Sequence, residues 1–318
     1  MNPPGAAPAR RSRFRRAQGV AFTLTGASLL SLAGVTLRHM ESASGWQILF
    51  YRSGTFFVVV VLYLVIRYRS RVAAAFLQVG TPGLVVAFSL GLGSAGYVFA
   101  LLLTTVANAL FIMSAAPLLT ALLGWLVLRE RVRPATWAAM TVALTGIALM
   151  VANGVQSGRL LGNIVAFGPT LSFALMIVAL RKAGDRDMIP AICLAGLVGA
   201  GLGLGMAESL VVSRHDLLLC LFLGVVQYTG GFVLLALGAR FLPAAEVALL
   251  AMAEIVLAPI WVWIGVGEIP ALLTVVGGTV VVFAVVAQAL MGLRTQGVGE
   301  PPADALPIRP GPPGSKVR

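Results

Sequence analysis

The sequence predicts an all-α integral membrane protein with ten transmembrane helices in two inverted five-helix repeats. Three observations carry this reading: ten apolar stretches separated by short loops, basic residues gathered in every second loop, and an internal similarity between the two halves. A helix needs roughly 20 apolar residues to cross a bilayer. A composition that is 59% hydrophobic and 11% charged, with mean hydropathy +0.96, leaves little chain for an aqueous domain.

In chain order the expected spans are 18–37, 50–66, 83–103, 106–128, 135–152, 161–180, 189–210, 217–238, 244–266 and 271–292. Five arginines from Arg10 to Arg16 precede the first, which is longer than the apolar core of a signal peptide and is read as uncleaved. Arg67, Arg69 and Arg71 close the second span, Arg129, Arg131 and Arg133 the fourth, and Arg181, Lys182 and Arg186 the sixth. Arg240 follows the eighth, and Arg294, Arg309, Lys316 and Arg318 follow the tenth. Of 23 basic residues, 19 thus fall on one side, leaving Arg38, Arg52, Arg159 and Arg214 on the other. Cationic loops stay in the cytoplasm, so both termini are expected there, with the protein in a bacterial-type inner membrane. Residues 1–16 and 295–318 are expected to be disordered cytoplasmic tails, the latter because of its Pro and Gly content.

Two ungapped alignments define the repeat. Gly19 to Arg38 matches Gly162 to Arg181, and Ala107 to Glu130 matches Ala245 to Glu268, bringing Trp125 onto Trp263 and Glu130 onto Glu268. Trp occurs five times and Asp plus Glu eleven times in 318 residues, so their coincidence weighs more than any match of Leu or Ala. The repeats span 17–152 and 160–292. Five helices in each force the second copy to insert upside down, and such proteins place their substrate site near the midplane between the halves.

With these residues in view, the chain resembles the EamA-type drug/metabolite transporter superfamily over about 17–292. The resemblance rests on the two five-helix repeats, on Trp46 through Arg52 opening helix 2, on Tyr97 with Ala100-Leu101, on Pro117 with Glu130, and on Glu254 and Glu268. It implies transport of amino acids, other small metabolites or drugs, mostly outward, through a central cavity lined by both repeats. The sequence departs from the pattern at Ile255, where a Pro would follow the helix-9 Glu, with Pro259 one turn later. Helix 9 is therefore expected to bend at a different depth from helix 4. The second repeat also lacks equivalents of Trp46 and Arg52.

Ionisable groups within a span cost roughly 2.5–3.5 kcal/mol on insertion scales, so they should face protein or water. Helix 9 holds two. From a start near Ala244, Glu246 lies about 3 Å in and Glu254 about 15 Å deep. Glu254 is read as a proton-coupling carboxylate or a counter-ion for a cationic substrate group, against the competing reading of a structural hydrogen bond. Glu246 is expected at the interface, paired with Arg240, and Asn108 occupies its mirrored position in helix 4. Gln227, Tyr228 and Tyr97, beside small residues, are expected to line a cavity or to pack between helices. Ser114, Met113 and Met176 suit an adaptable pocket, although Met in an apolar span also serves ordinary packing. Arg52 and the Arg38-His39-Met40-Glu41 cluster are expected on the outer face, in a solvated loop or a gate pairing.

Other functions are disfavoured. The net charge of +12 is dispersed over loop flanks, so nucleic acid is not an expected partner. Gly91-Leu-Gly93-Ser-Ala-Gly96 lies inside a span with no preceding strand, which removes the dinucleotide reading, and its glycines suit close helix contact, as do Gly199, Gly201, Gly203 and Gly205. Cys193 and Cys220 fall within apolar spans as small hydrophobes. No cofactor or metal is expected, and no catalytic cluster gathers at one depth. The expected partners are a small-molecule substrate, the lipid bilayer and protons as the coupling ion. The expected activity is that of a secondary active exporter working by alternating access, with a passive channel or lipid-handling protein as the alternative.

Overall fold

The computed structural model describes residues 6–129, 134–156, 159–184, 186–242 and 244–296, and these contain helices and short connections without a strand. Eight described helical stretches are long and apolar enough to cross a membrane, and the apolar helix Ala253–Val266 and the apolar stretch Leu272–Ala287 follow them. Large apolar side chains face outward along their length, among them Leu77 at 84% exposure, Ile66 at 77% and Phe283 at 69%. Such a surface needs lipid to cover it. The chain is a multi-pass membrane protein.

Helix α1 runs Ala6–Ser31 and α2 Ala33–Arg38. The tail expected over 1–16 is therefore helical from Ala6. Ala and Arg are strong helix formers, and Pro8 falls in the first turn, where a missing N–H removes no bond. Helix α3, Gly45–Tyr68, starts five residues before the expected span because Ser44 and Gln47 close a capping box: Ser44 Oγ accepts from the Gln47 N–H, and Gln47 Oε1 from the Ser44 N–H. The short α4, Val72–Leu77, leads into α5, Gly80–Leu103. The fourth span is divided into α6, Val106–Met113, capped by Thr105, and α7, Ala116–Leu128. Helices α8, Pro134–Gln156, and α9, Leu160–Ala183, follow.

Helix α10, Ile189–Met206, leads to α11, Arg214–Phe222, whose N-cap is Ser213. A π-helical turn over Leu223–Gly230 passes into α12, Gly231–Gly238. The ninth span is divided at Met252 into α13, Ala244–Ala251, and α14, Ala253–Val266, and α15, Leu272–Gln296, ends the described chain. The C-terminal tail lies outside the described residues beyond Gln296.

The expected difference in depth between the two divided helices is not found. The first is interrupted at Ser114-Ala115 and the second at Met252, and Ser114 and Met252 are equated by the internal alignment. Pro259 sits inside α14 without ending it. Both helices also close on a left-handed residue at equated positions, Arg129 (φ 56°) and Gly267 (φ 69°).

Small residues set how closely the helices approach. A Cβ on Gly203 would lie 2.6 Å from the Phe50 backbone nitrogen, and one on Gly199 2.6 Å from Ser53 Oγ, so both seat α10 on α3. Gly201 and Gly205 meet nothing, because residues two apart on a helix do not share a face. Gly146 of α8 and Gly277 of α15 touch reciprocally, each 2.5 Å from the other's carbonyl oxygen if given a Cβ. Cys193 and Cys220 are buried, free thiols. Several buried hydroxyls bond within their own helices, as where Thr120 Oγ1 donates to the Ala116 carbonyl and Thr170 Oγ1 to Ala166.

Candidate functional site

A central cavity of about 250 Å³ opens between helices from both halves. Leu30 of α1, Arg52 of α3, Ser94 and Tyr97 of α5, and Met113 and Ser114 at the first helix break supply one side. Pro169, Thr170 and Phe173 of α9, Gln227 and Tyr228 of the π turn, Phe232 of α12 and Glu254 of α14 supply the other. No residue of α8, α10 or α15 lines it. The walls are mostly apolar, with a few convergent polar groups, the usual make-up of a small-molecule site.

Arg52 is the feature the sequence reading missed. It was expected on the outer face, in a solvated loop or a gate pairing, yet it is 3% exposed and lies on the cavity. Because the cap at Ser44 starts α3 early, Arg52 falls seven residues inside the helix, about 10 Å along its axis. Arg52 Nη1 donates to Ser94 Oγ at 2.8 Å. Its guanidinium carbon lies 4.2 Å from the Tyr228 ring centroid and 5.3 Å from that of Tyr97. Two aromatic faces thus partly replace the water that burial removes from the cation. The Tyr228 ring is itself held by Phe56 at 4.7 Å and Phe232 at 5.1 Å.

Glu254 is the second residue of α14, directly after the break, and faces the same cavity. Among the described residues it has no hydrogen-bond or ion-pair partner. Gln227 Nε2 donates to the Leu30 carbonyl at 2.9 Å, beside the α1–α2 interruption, while its Oε1 is buried without a partner. The π turn carries Gln227, Tyr228 and Thr229 as one buried group, and such turns widen a helix at the point where polar side chains must turn inward. Ser114 Oγ is spent on the Phe111 carbonyl at 2.6 Å.

Five of the expected site residues, Tyr97, Ser114, Gln227, Tyr228 and Glu254, therefore meet on one cavity. Three do not. Asn108 is 3% exposed in a polar knot off the cavity, where its Nδ2 donates to Thr104 Oγ1 and to Asn163 Oδ1, and Thr104 Oγ1 donates to Asn163 Oδ1. Met176 packs with Val79, Val86 and Met188 between α5, α9 and α10. Glu246 pairs with Arg16 at 3.4 Å rather than with Arg240, because α1 runs back along α13.

The end of the molecule that carries Arg38 is tied by charge. Arg38 Nε donates to Glu268 Oε2 at 2.7 Å, and its terminal nitrogens donate to the carbonyls of Leu101 and Thr104. Glu268 Oε1 accepts from the Val106 N–H at 2.9 Å, so it also caps α6. Asp216, fully buried, accepts the backbone N–H groups of Glu41, Ser42 and Ala43. The Ser213-x-x-Asp216 spacing is a helix-start signal that was readable in the sequence. At the opposite end Asp187 accepts from the Tyr68 hydroxyl at 2.5 Å and pairs with Arg67 at 2.9 Å. Burial acts to raise this carboxyl, but the Tyr68, Ile189 N–H and Arg67 contacts outweigh it and hold it below its ordinary value. Glu130 lies outside the described residues.

Residues 17–152 match the profile of the EamA-like transporter family. The Bacillus subtilis (strain 168) protein named Uncharacterized transporter YdfC is 27% identical over 179 residues, which span 54% of this chain and 58% of that protein. A solved crystal structure shares the fold with a TM-score of 0.61 at 18% identity, over 88% of this chain and 99% of the other.

Proposed function

We propose that this protein is a secondary active exporter of small metabolites, amino acid-like or drug-like, that works by alternating access around the central cavity. The single observation that supports this most is the convergence of Arg52 and Glu254 from different halves onto one mostly apolar cavity. In this reading, ten spans form two inverted repeats, 17–152 and 160–292, in the inner membrane. The matched positions of the breaks at Ser114 and Met252 support the repeat, and the 19-to-4 basic bias supports cytoplasmic termini. The halves rock about the breaks to expose the cavity to one side and then the other.

Protons are the proposed coupling ion, and Glu254 carries them. Its lack of a protein partner supports this role over a structural one. Glu254→Gln keeps shape and removes titration, so it should retain membrane abundance while abolishing pH-dependent, uphill export; exchange down the substrate's own gradient should survive. The substrates come from an untargeted comparison of metabolites retained by deletion and overexpressing cells. Wild-type rate and pH dependence in Glu254→Gln would make the carboxyl structural, and flux that never exceeds the imposed gradient in wild type would favour a passive channel.

Orientation has its own test. In a Cys193→Ala, Cys220→Ala background, Ser209→Cys should react with an impermeant thiol reagent in intact cells and Ser70→Cys should not. The reverse pattern inverts the topology.

A further inference from the structure

We infer that Arg52 is the substrate-reading residue, and that the cavity takes an amphipathic metabolite with an oxyanion head and an apolar body. This rests on the transporter reading above and names the chemistry of its substrate. A guanidinium has five N–H donors and no acceptor. Among the described residues only Ser94 Oγ accepts one of them, and no carboxylate stands within ion-pair distance of Arg52. The cation is nevertheless 97% buried by its 3% exposure and faces the cavity.

A buried cation without a counter-ion is costly to keep unless something supplies the charge. Glu254 shares the cavity but makes no ion pair with Arg52, so it acts on that cation only through space and leaves the guanidinium donors free. Tyr97 and Tyr228 hold the guanidinium by its attraction to their rings and offer it no anion. The remaining donors form a fork suited to two oxygens of a carboxylate, phosphate or sulfonate. Around them Leu30, Leu90, Leu110, Phe173 and Phe232 present an apolar wall for the rest of the molecule.

The test measures binding of three matched probes to the purified full chain in detergent near neutral pH: phenylbutyrate, its neutral isostere phenylbutyramide, and phenylbutylammonium. Wild type should bind phenylbutyrate about ten- to a hundredfold more tightly than the amide, the difference expected for hydrogen bonds to a charged group, and the ammonium most weakly. Arg52→Gln should abolish the preference for the carboxylate over the amide, and Arg52→Lys should retain part of it. The wild-type ranking needs no variant, so misfolding of Arg52→Gln does not protect the proposal.

Equal binding of amide and carboxylate, no measurable binding of phenylbutyrate, or a preference that survives in Arg52→Gln overturns the assignment. If the metabolite comparison finds exported compounds that all lack an oxyanion, Arg52 is not the reader and the transporter reading stands. Carboxylate preference with no flux of any metabolite leaves the binding site and removes the transporter reading.

Discussion

The two divided helices share a backbone and differ in chemistry. In the first, α6 and α7 meet at Ser114, whose hydroxyl is already bonded to the Phe111 carbonyl. In the second, α13 and α14 meet at Met252, and the residue two places on is Glu254, which has no partner among the described residues and faces the cavity. Both helices end on a left-handed residue, Arg129 and Gly267, followed by a Glu in sequence. The internal alignment thus equates where the chain interrupts its helices, not what the interruption presents. Among the described residues, only the second break places a carboxylate on the cavity.

The two helices are also joined. Glu268, directly after the end of α14, accepts the first N–H of α6 at Val106 and pairs with Arg38. Glu268 thus joins the end of α14 to α6 through a charged cap and to α2 through a hydrogen-bonded ion pair, both partly shielded. Glu268→Gln should therefore lower stability by about 1–2 kcal/mol, read as a melting temperature several degrees lower in detergent. A melting curve that matches wild type would mean that the two helices are not coupled through this carboxylate.

A smaller effect is expected from restoring the proline that the second repeat lacks. Ile255 is the third residue of α14, and its N–H reaches only back across the break to the Met252 carbonyl at 3.0 Å. Ile255→Pro should cost about 1 kcal/mol, the value of that one bond, against about 3 kcal/mol for Pro in an uninterrupted helix. Thermal melts of Ile255→Pro beside Ile260→Pro check this. Equal, large losses in both would mean that the helix runs through Met252 unbroken.

Much of the architecture was legible because the membrane imposes it. An apolar run long enough to span must be helical, since lipid offers no partner to an open backbone, and the depth of Glu254 follows from counting residues from Ala244. The repeat alignment equated Ser114 with Met252, although the missing Pro at Ile255 suggested a shifted bend. The position of the break proved to depend on the chain around it rather than on that Pro. Arg52 was misread for a local reason: a boundary drawn from hydropathy began helix 2 at residue 50, whereas the Ser44 and Gln47 cap begins it at Gly45 and carries Arg52 two turns inward.

The sequence by itself determined the solvent of this protein and its helical class, because these depend on composition, spacing and hydrogen-bond accounting along one chain. Tertiary structure decided which polar groups face one another. Gly199 and Gly203 let α10 sit against α3, Tyr97 and Tyr228 close on Arg52 from two different helices, and Asn108 turned to Asn163 and Thr104 instead of the cavity. Those outcomes depend on the rotation of each helix about its axis and on packing between residues far apart in sequence, which the periodicity of a single apolar span leaves open when every face of it is apolar.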